Sequence, residues 1–144
     1  MNNHICESKL PKDTSLCVYA DENLIFSCKG KWLMPLFELE TFLTTYTGSR
    51  DCLSAHDSAV GKAAAVLMIR LGIKRIHADL ASDCAKNYID ELNNSVRTDP
   101  LIFTWYKKVS RLFCATETQL SEMTDVHEMY SALRIRAGYT NEQR

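Results

Sequence analysis

The spacing of apolar and polar positions assigns most of the chain to strands and helices. Ser15-Leu-Cys-Val-Tyr-Ala20 and Asn23-Leu-Ile-Phe-Ser-Cys28 are short β-prone runs separated by the polar pair Asp21-Glu22, the spacing of an antiparallel hairpin. From Leu33 the period changes. Leu36, Phe37, Leu39, Phe42, Leu43 and Tyr46 recur at helical intervals, with Pro35 tolerated in the first turn and Gly48 as the stop. Cys52 to His56 then reads as a short buried strand. The segment from Asp57 to Gly72 reads as a polar first turn, a helix apolar on nearly all sides and a glycine stop, the pattern of a central helix packed on a sheet. Ile73 to Leu80 gives another strand, and Ser82-Asp83 opens a helix to about Leu92 by N-capping. Strand, helix, strand, helix in that order predicts a βαβ crossover with parallel pairing.

Beyond Asn93-Asn94 the pattern is thinner. Ser95 to Arg97 is a candidate last strand, Leu101 to Phe113 an amphipathic segment, and Asp125 to Arg136 a closing helix built on Val126, Met129, Tyr130, Leu133 and Ile135. With no repeat or linker, residues 1–144 read as a single domain, with 1–14 and 137–144 as disordered ends.

Composition narrows the classes. At 46% hydrophobic and 24% charged, the 144-residue chain has the apolar mass for one real core, which excludes disordered and fibrous classes. Its 17 basic and 18 acidic side chains leave a net charge of -1, so bulk charge argues against a nucleic-acid polymer as partner. The six cysteines, at 6, 17, 28, 52, 84 and 114, include no Cys-x-x-Cys pair. No apolar run approaches the roughly 20 residues of a membrane-spanning helix, and the N-terminus lacks a long apolar signal region. These features predict a soluble cytoplasmic protein with reduced thiols and no membrane partner.

The hairpin, the helix after it, the run Asp57-Ser-Ala-Val-Gly-Lys-Ala-Ala-Ala65 and the strand Ile73-Lys-Arg-Ile-His-Ala78 together resemble DUF1893, a small prokaryotic family of uncharacterised proteins. Its typical segment is Asp-Lys-x-Val-Gly-Lys-Ala-Ala-Ala. Asp57, Val60, Gly61, Lys62 and the three alanines match it, and Ser58 departs from its lysine. The similarity runs from Leu16 to Tyr88, with an echo of the family's Cys-Pro-x-Glu in Cys114-Ala-Thr-Glu117, where the proline is absent. The resemblance implies a cytidine deaminase-like scaffold: a three-layer α-β-α domain with a mixed sheet and an N-terminal antiparallel hairpin. It does not imply that chemistry. A zinc deaminase needs His-x-Glu or Cys-x-Glu at the central helix and Pro-Cys-x-x-Cys at the next, because zinc takes three protein ligands and the Glu moves protons. Here those places read His56-Asp57-Ser58 and Ser82-Asp83-Cys84-Ala85-Lys86-Asn87. Zinc-dependent deamination is therefore rejected, and neither a metal site nor a cofactor is expected.

The candidate chemistry gathers at the start of the central helix. Free backbone N–H groups there attract anions, Lys62 supplies a cation, Gly61 allows close approach, and Asp57 can cap the helix, bind a ribose hydroxyl or act as a carboxylate nucleophile or acceptor for group transfer. The structural alternative is an ordinary Asp cap, a packing glycine and a lysine reaching solvent. Gly61-Lys62 is no P-loop, since the upstream glycine and the following Ser/Thr are missing. Cys84 sits near a helix start, where a thiol is activated, although Asp83 opposes that effect. His56 and His77, on neighbouring strands, can face one crevice and serve with Cys52 or Cys84 as metal ligands, or as a base. Trp105-Tyr106-Lys107-Lys108 with Arg111 mixes aromatics and cations as a single-strand nucleic-acid platform does, against a plain packing role.

The sequence thus predicts a protein without the zinc site, of uncertain enzymatic status. It is expected to bind a small anionic ligand, nucleotide or ADP-ribose-like, through Asp57, Ser58, Gly61 and Lys62, with His56 and Cys84 nearby. The alternative is a non-catalytic domain for homo-oligomer formation or protein interaction.

Overall fold

The structure, a computed structural model, describes residues 10–30, 33–95, 102–110 and 126–136. Among these the elements run β1 (Leu16–Ala20), β2 (Asn23–Cys28), α1 (Met34–Thr44), β3 (Leu53–Val60), α2 (Lys62–Arg70), β4 (Arg75–Ser82), α3 (Asp83–Ser95), β5 (Phe103–Tyr106), β6 (Val109–Ser110) and α4 (Val126–Arg136). The sheet order is β2-β1-β3-β4-β5, with β6 continuing beside β4. β1 pairs antiparallel with β2 and β3, whereas β3, β4 and β5 run parallel, so the sheet is mixed as expected. This is an α/β fold consistent with three layers.

The hairpin and the βαβ crossover form where the pattern places them. The stop of α2 is a Schellman closure: Gly72 at φ +91° donates to Ile69 O (3.0 Å), and Ile73 donates to Met68 O (3.1 Å), with both Met68 and Ile73 fully buried. Ser82 caps α3 by accepting the Ala85 N–H at 3.0 Å. α2 is apolar from Ala63 to Met68 and buried throughout that run, because it packs against α1, α3 and α4 as well as β3. Glu40 of α1 ties three helices together. It accepts from the Tyr130 hydroxyl (2.6 Å), pairs with Arg70 (3.0 Å) and Arg134 (3.5 Å), and the Arg70 guanidinium lies over the Tyr130 ring at 3.5 Å.

Several boundaries differ from the sequence reading. The strand expected at 52–56 runs to Val60, and the helix expected from Asp57 starts at Lys62. Asp57 and Ser58 are therefore strand residues: Ser58 donates to Ser15 O at 2.9 Å, and pairing with β1 on one side and β4 on the other keeps the backbone extended. The strand expected at Ile73–Leu80 is shifted to Arg75–Ser82. Ser95 belongs to α3, while 96–97 lie outside the described residues, and the amphipathic segment near 101–113 contains the strands β5 and β6. Of the ends expected to be disordered, 10–14 form a turn closed by Thr14 N–H to Pro11 O (3.0 Å), and 1–9 and 137–144 lie outside the described residues.

Candidate functional site

The alternation of β3 decides where each candidate side chain goes. Residues opposite one another on neighbouring strands share a sheet face. One row is Leu16, Asp57, Ala78 and Tyr106, and the adjacent row is Cys17, His56, His77 and Trp105. Leu16 and Ala78 belong to the hydrophobic core with Val18, Ala55 and Ile76, so Asp57 stands on the core face of the sheet. His56 and His77 stand on the other.

Asp57 consequently loses water. Its surroundings push the carboxyl up to about 7 from its ordinary 3.8, chiefly through desolvation and with help from the negative charge of Asp79, against the backbone N–H groups of Ala59 and Ser58, which favour the carboxylate. The Ala59 N–H donates to Asp57 Oδ1 at 3.3 Å, a turn within the strand and not a helix cap. The residue preceding α2 is Gly61, in extended backbone (φ -93°, ψ -179°), which has no side chain to cap the helix. Lys62 is buried, with its Nζ 5.6 Å from the centre of the Tyr88 ring, so it does not reach out to solvent.

On the other face, His56 donates from Nε2 to Asp79 Oδ1 at 2.8 Å, and Lys107 Nζ lies 3.4 Å from the same oxygen. His56 is buried, whereas Asp79 is partly open to solvent. The His77 ring is buried and stacked on Trp105, centroids 4.5 Å apart at 7°, with the His56 ring 6.4 Å away on its other side. Burial, and to a smaller degree His56, pull the His77 imidazolium down to about 4 from 6.5, so His77 is neutral at pH 7. Its Nδ1 is buried and makes no hydrogen bond.

Most of β3 is closed, with Asp57 half-buried. Leu53, Ser54, Ala55, His56 and Val60 are buried, yet Ser58 and Ala59 between them are exposed. This opening in a central strand lies beside Asp57, abreast of Asp79 and three residues before α2. Of the sequence candidates it gathers Asp57, Ser58 and Gly61, with Lys62 behind them and His56 reaching it through Asp79. Cys84 lies in the first turn of α3, at the next strand-to-helix junction, and Cys52 lies at the amino end of β3, away from the histidines. Among the described residues no group of three or more His, Cys, Asp or Glu side chains is placed to hold a metal ion. The aromatic-cationic stretch does not form one platform: Trp105 covers His77, Tyr106 faces the core and Lys107 pairs with Asp79. Arg111, Cys114 and Glu117 lie outside the described residues.

The sequence reading gave no role to Asp79, and it placed Lys107 only in the aromatic-cationic stretch and not beside Asp79. The signal for Asp79 was the alternation His77-Ala-Asp79 beside His56, legible once the parallel pairing of β3 with β4 is drawn.

No helix among the described residues is long and apolar enough to cross a membrane. A family model described as TM1506: Domain of unknown function (DUF1893) matches residues 5–135. The chain is also similar to a solved DUF1893 family protein (TM1506) from Thermotoga maritima, with a TM-score of 0.68 and 25% identity, over 87% of this chain and 82% of that one. No curated protein matches.

Proposed function

As the chain belongs to the DUF1893 family, described only as a domain of unknown function, we propose that it binds a small phosphate-bearing molecule of the nucleotide or ADP-ribose class at the opening beside Asp57. The carrying observation is the exposure of Ser58 and Ala59 beside half-buried Asp57 in a central strand whose other residues are buried, just ahead of an α2 start whose N-cap, Gly61, offers no side-chain cap. Backbone N–H groups at a helix start favour an anion through the helix dipole, and Lys62, the first residue of α2, brings a cation to the same end.

Asp57 fits this reading because a carboxyl near 7 is half protonated at neutral pH. The protonated form donates a hydrogen bond and does not repel phosphate. Anion binding therefore weakens as pH rises through 7. The cytidine deaminase-like scaffold is part of the proposal as a frame only, since the chain has neither zinc motif.

Thermal shift against inorganic phosphate and a panel of nucleotides tests the reading. A ligand that raises the melting temperature, with the shift lost in Lys62→Ala and Asp57→Ala, supports it; no shift with any of them refutes it. A second reading, self-association, draws on Leu24 and Phe103, 53% and 47% exposed on the two outer strands of the sheet. Concentration-dependent mass by light scattering, abolished by Phe103→Lys, distinguishes it.

A further inference from the structure

The βαβ unit β3-α2-β4 places a second recognition element one strand away from the helix start. Asp79 stands on β4, eighteen positions after Gly61, on the neighbouring parallel strand. In nucleotide-binding βαβ units an acidic residue about 20 positions beyond the glycine turn, on the second strand, takes the ribose hydroxyls. The side chain is also prepared for that task. Both of its described contacts, from His56 Nε2 at 2.8 Å and Lys107 Nζ at 3.4 Å, fall on Oδ1. Oδ2 makes no described hydrogen bond, while a buried imidazole and a lysine fix the carboxylate from behind.

An independent observation lies two residues earlier on the same face. His77 is 3% exposed, neutral, and carries a buried Nδ1 with no hydrogen-bond partner, beside the Trp105 ring. A buried imidazole nitrogen left unpaired is costly, and a ligand hydroxyl would satisfy it. Ser58, exposed and abreast of Asp79, adds a hydroxyl. The donors and acceptors on this face are those that recognise a polyol.

We propose that Asp79, held by His56 and Lys107 and supported by His77, binds the vicinal hydroxyls of a ribose, so that the ligand is a ribonucleotide or ribose phosphate and not its 2′-deoxy counterpart. This rests on the anion reading above and gives the site its sugar end. Asp79 contacts the ligand, and His56 acts through Asp79 as a positioning residue.

The test is calorimetric binding of inorganic phosphate, AMP, 2′-deoxy-AMP and adenosine to the wild-type chain, to Asp79→Asn and to Lys62→Ala. A site that hydrogen-bonds a hydroxyl through a charged group loses on the order of tenfold in affinity when that hydroxyl is missing. AMP is expected to bind at least about tenfold tighter than 2′-deoxy-AMP in the wild type. In Asp79→Asn the two become equal while phosphate binding is unchanged. Equal affinities in the wild type, or discrimination retained in Asp79→Asn, overturn the proposal even if phosphate binds and Lys62→Ala abolishes it. Adenosine binding that depends on Asp79, with no binding of phosphate, supports the sugar end and refutes the anion reading; no binding of any of the four refutes both. Should Asp79→Asn fail to fold by circular dichroism, Lys107→Met, on the exposed side of the pair, takes its place with the same expected loss of discrimination.

Discussion

Replacing Asp57 by Asn isolates the cost of holding a carboxyl in the row between Leu16 and Ala78. The amide has the same shape and keeps an acceptor for the Ala59 N–H, so what changes is ionisation. The carboxyl is raised from 3.8 to about 7 on folding. A group raised in the folded state contributes stability that is fully present below its unfolded value and is lost as pH climbs through its folded value. Relative to the variant, the wild type therefore loses stability between pH 4 and pH 7, and the difference levels off above pH 8. Three pK units correspond to an upper bound of about 4 kcal/mol, and solvent reaching the exposed Ser58–Ala59 opening reduces this to roughly 2–4 kcal/mol. The buried amide nitrogen adds a constant penalty that displaces the variant's curve without altering its slope. Urea unfolding of both proteins from pH 4 to 9 at fixed ionic strength reads the difference directly, since the other titrating groups cancel. A pH-independent difference, or a wild type that gains on the variant as pH rises, refutes the reasoning. So does a carboxyl carbon resonance of Asp57 that titrates below pH 5.

His77 acts with the opposite sign: its imidazolium is depressed from 6.5 to about 4, so its contribution is present above pH 6.5 and lost as pH falls towards 4. His77→Gln is expected to flatten that acid limb by roughly 2–3 kcal/mol, measured by the same urea unfolding; an unchanged limb sinks the assignment. Gly72→Ala is expected to cost about 1 kcal/mol in thermal unfolding through its positive φ alone, because an added Cβ meets only Arg50 at 3.7 Å, an ordinary contact.

The sequence carried the local parts of the fold. The hairpin, the Pro35 entry to α1, the Gly72 stop and the Ser82 cap are each written in a few adjacent residues, and each is observed. The junction at 57–61 was misread for a definite reason. A polar Asp-Ser pair ahead of an apolar run has the form of an N-cap, yet hydrogen bonds to β1 and β4 extend the strand four residues further and hand the start of the helix to Gly61. β5 and β6 were missed for a related reason. Trp105 and its neighbours become strands by pairing in parallel with β4, a partner more than twenty residues away that local periodicity does not report.

The candidate site divides in the same way. Asp57, Ser58, Gly61 and Lys62 were singled out because they lie within one short stretch of chain. Asp79 was not, because its meaning comes from a neighbour, His56, twenty-three residues away.

The rows across the sheet also bear on how the chain avoids wrong pairings. His56 and Asp57 are adjacent, so a slip of β3 by one residue would exchange their faces, placing an imidazole between Leu16 and Ala78 and turning Asp57 to the opposite face of the sheet. His56 would lose Asp79, and the buried histidine would be left without its acceptor. Each displaced polar group costs about 1–3 kcal/mol. In a strand whose other residues between Leu53 and Val60 are serines and alanines that could pack in either register, these two side chains therefore act as an alignment mark, set at folding and independent of any ligand that later arrives.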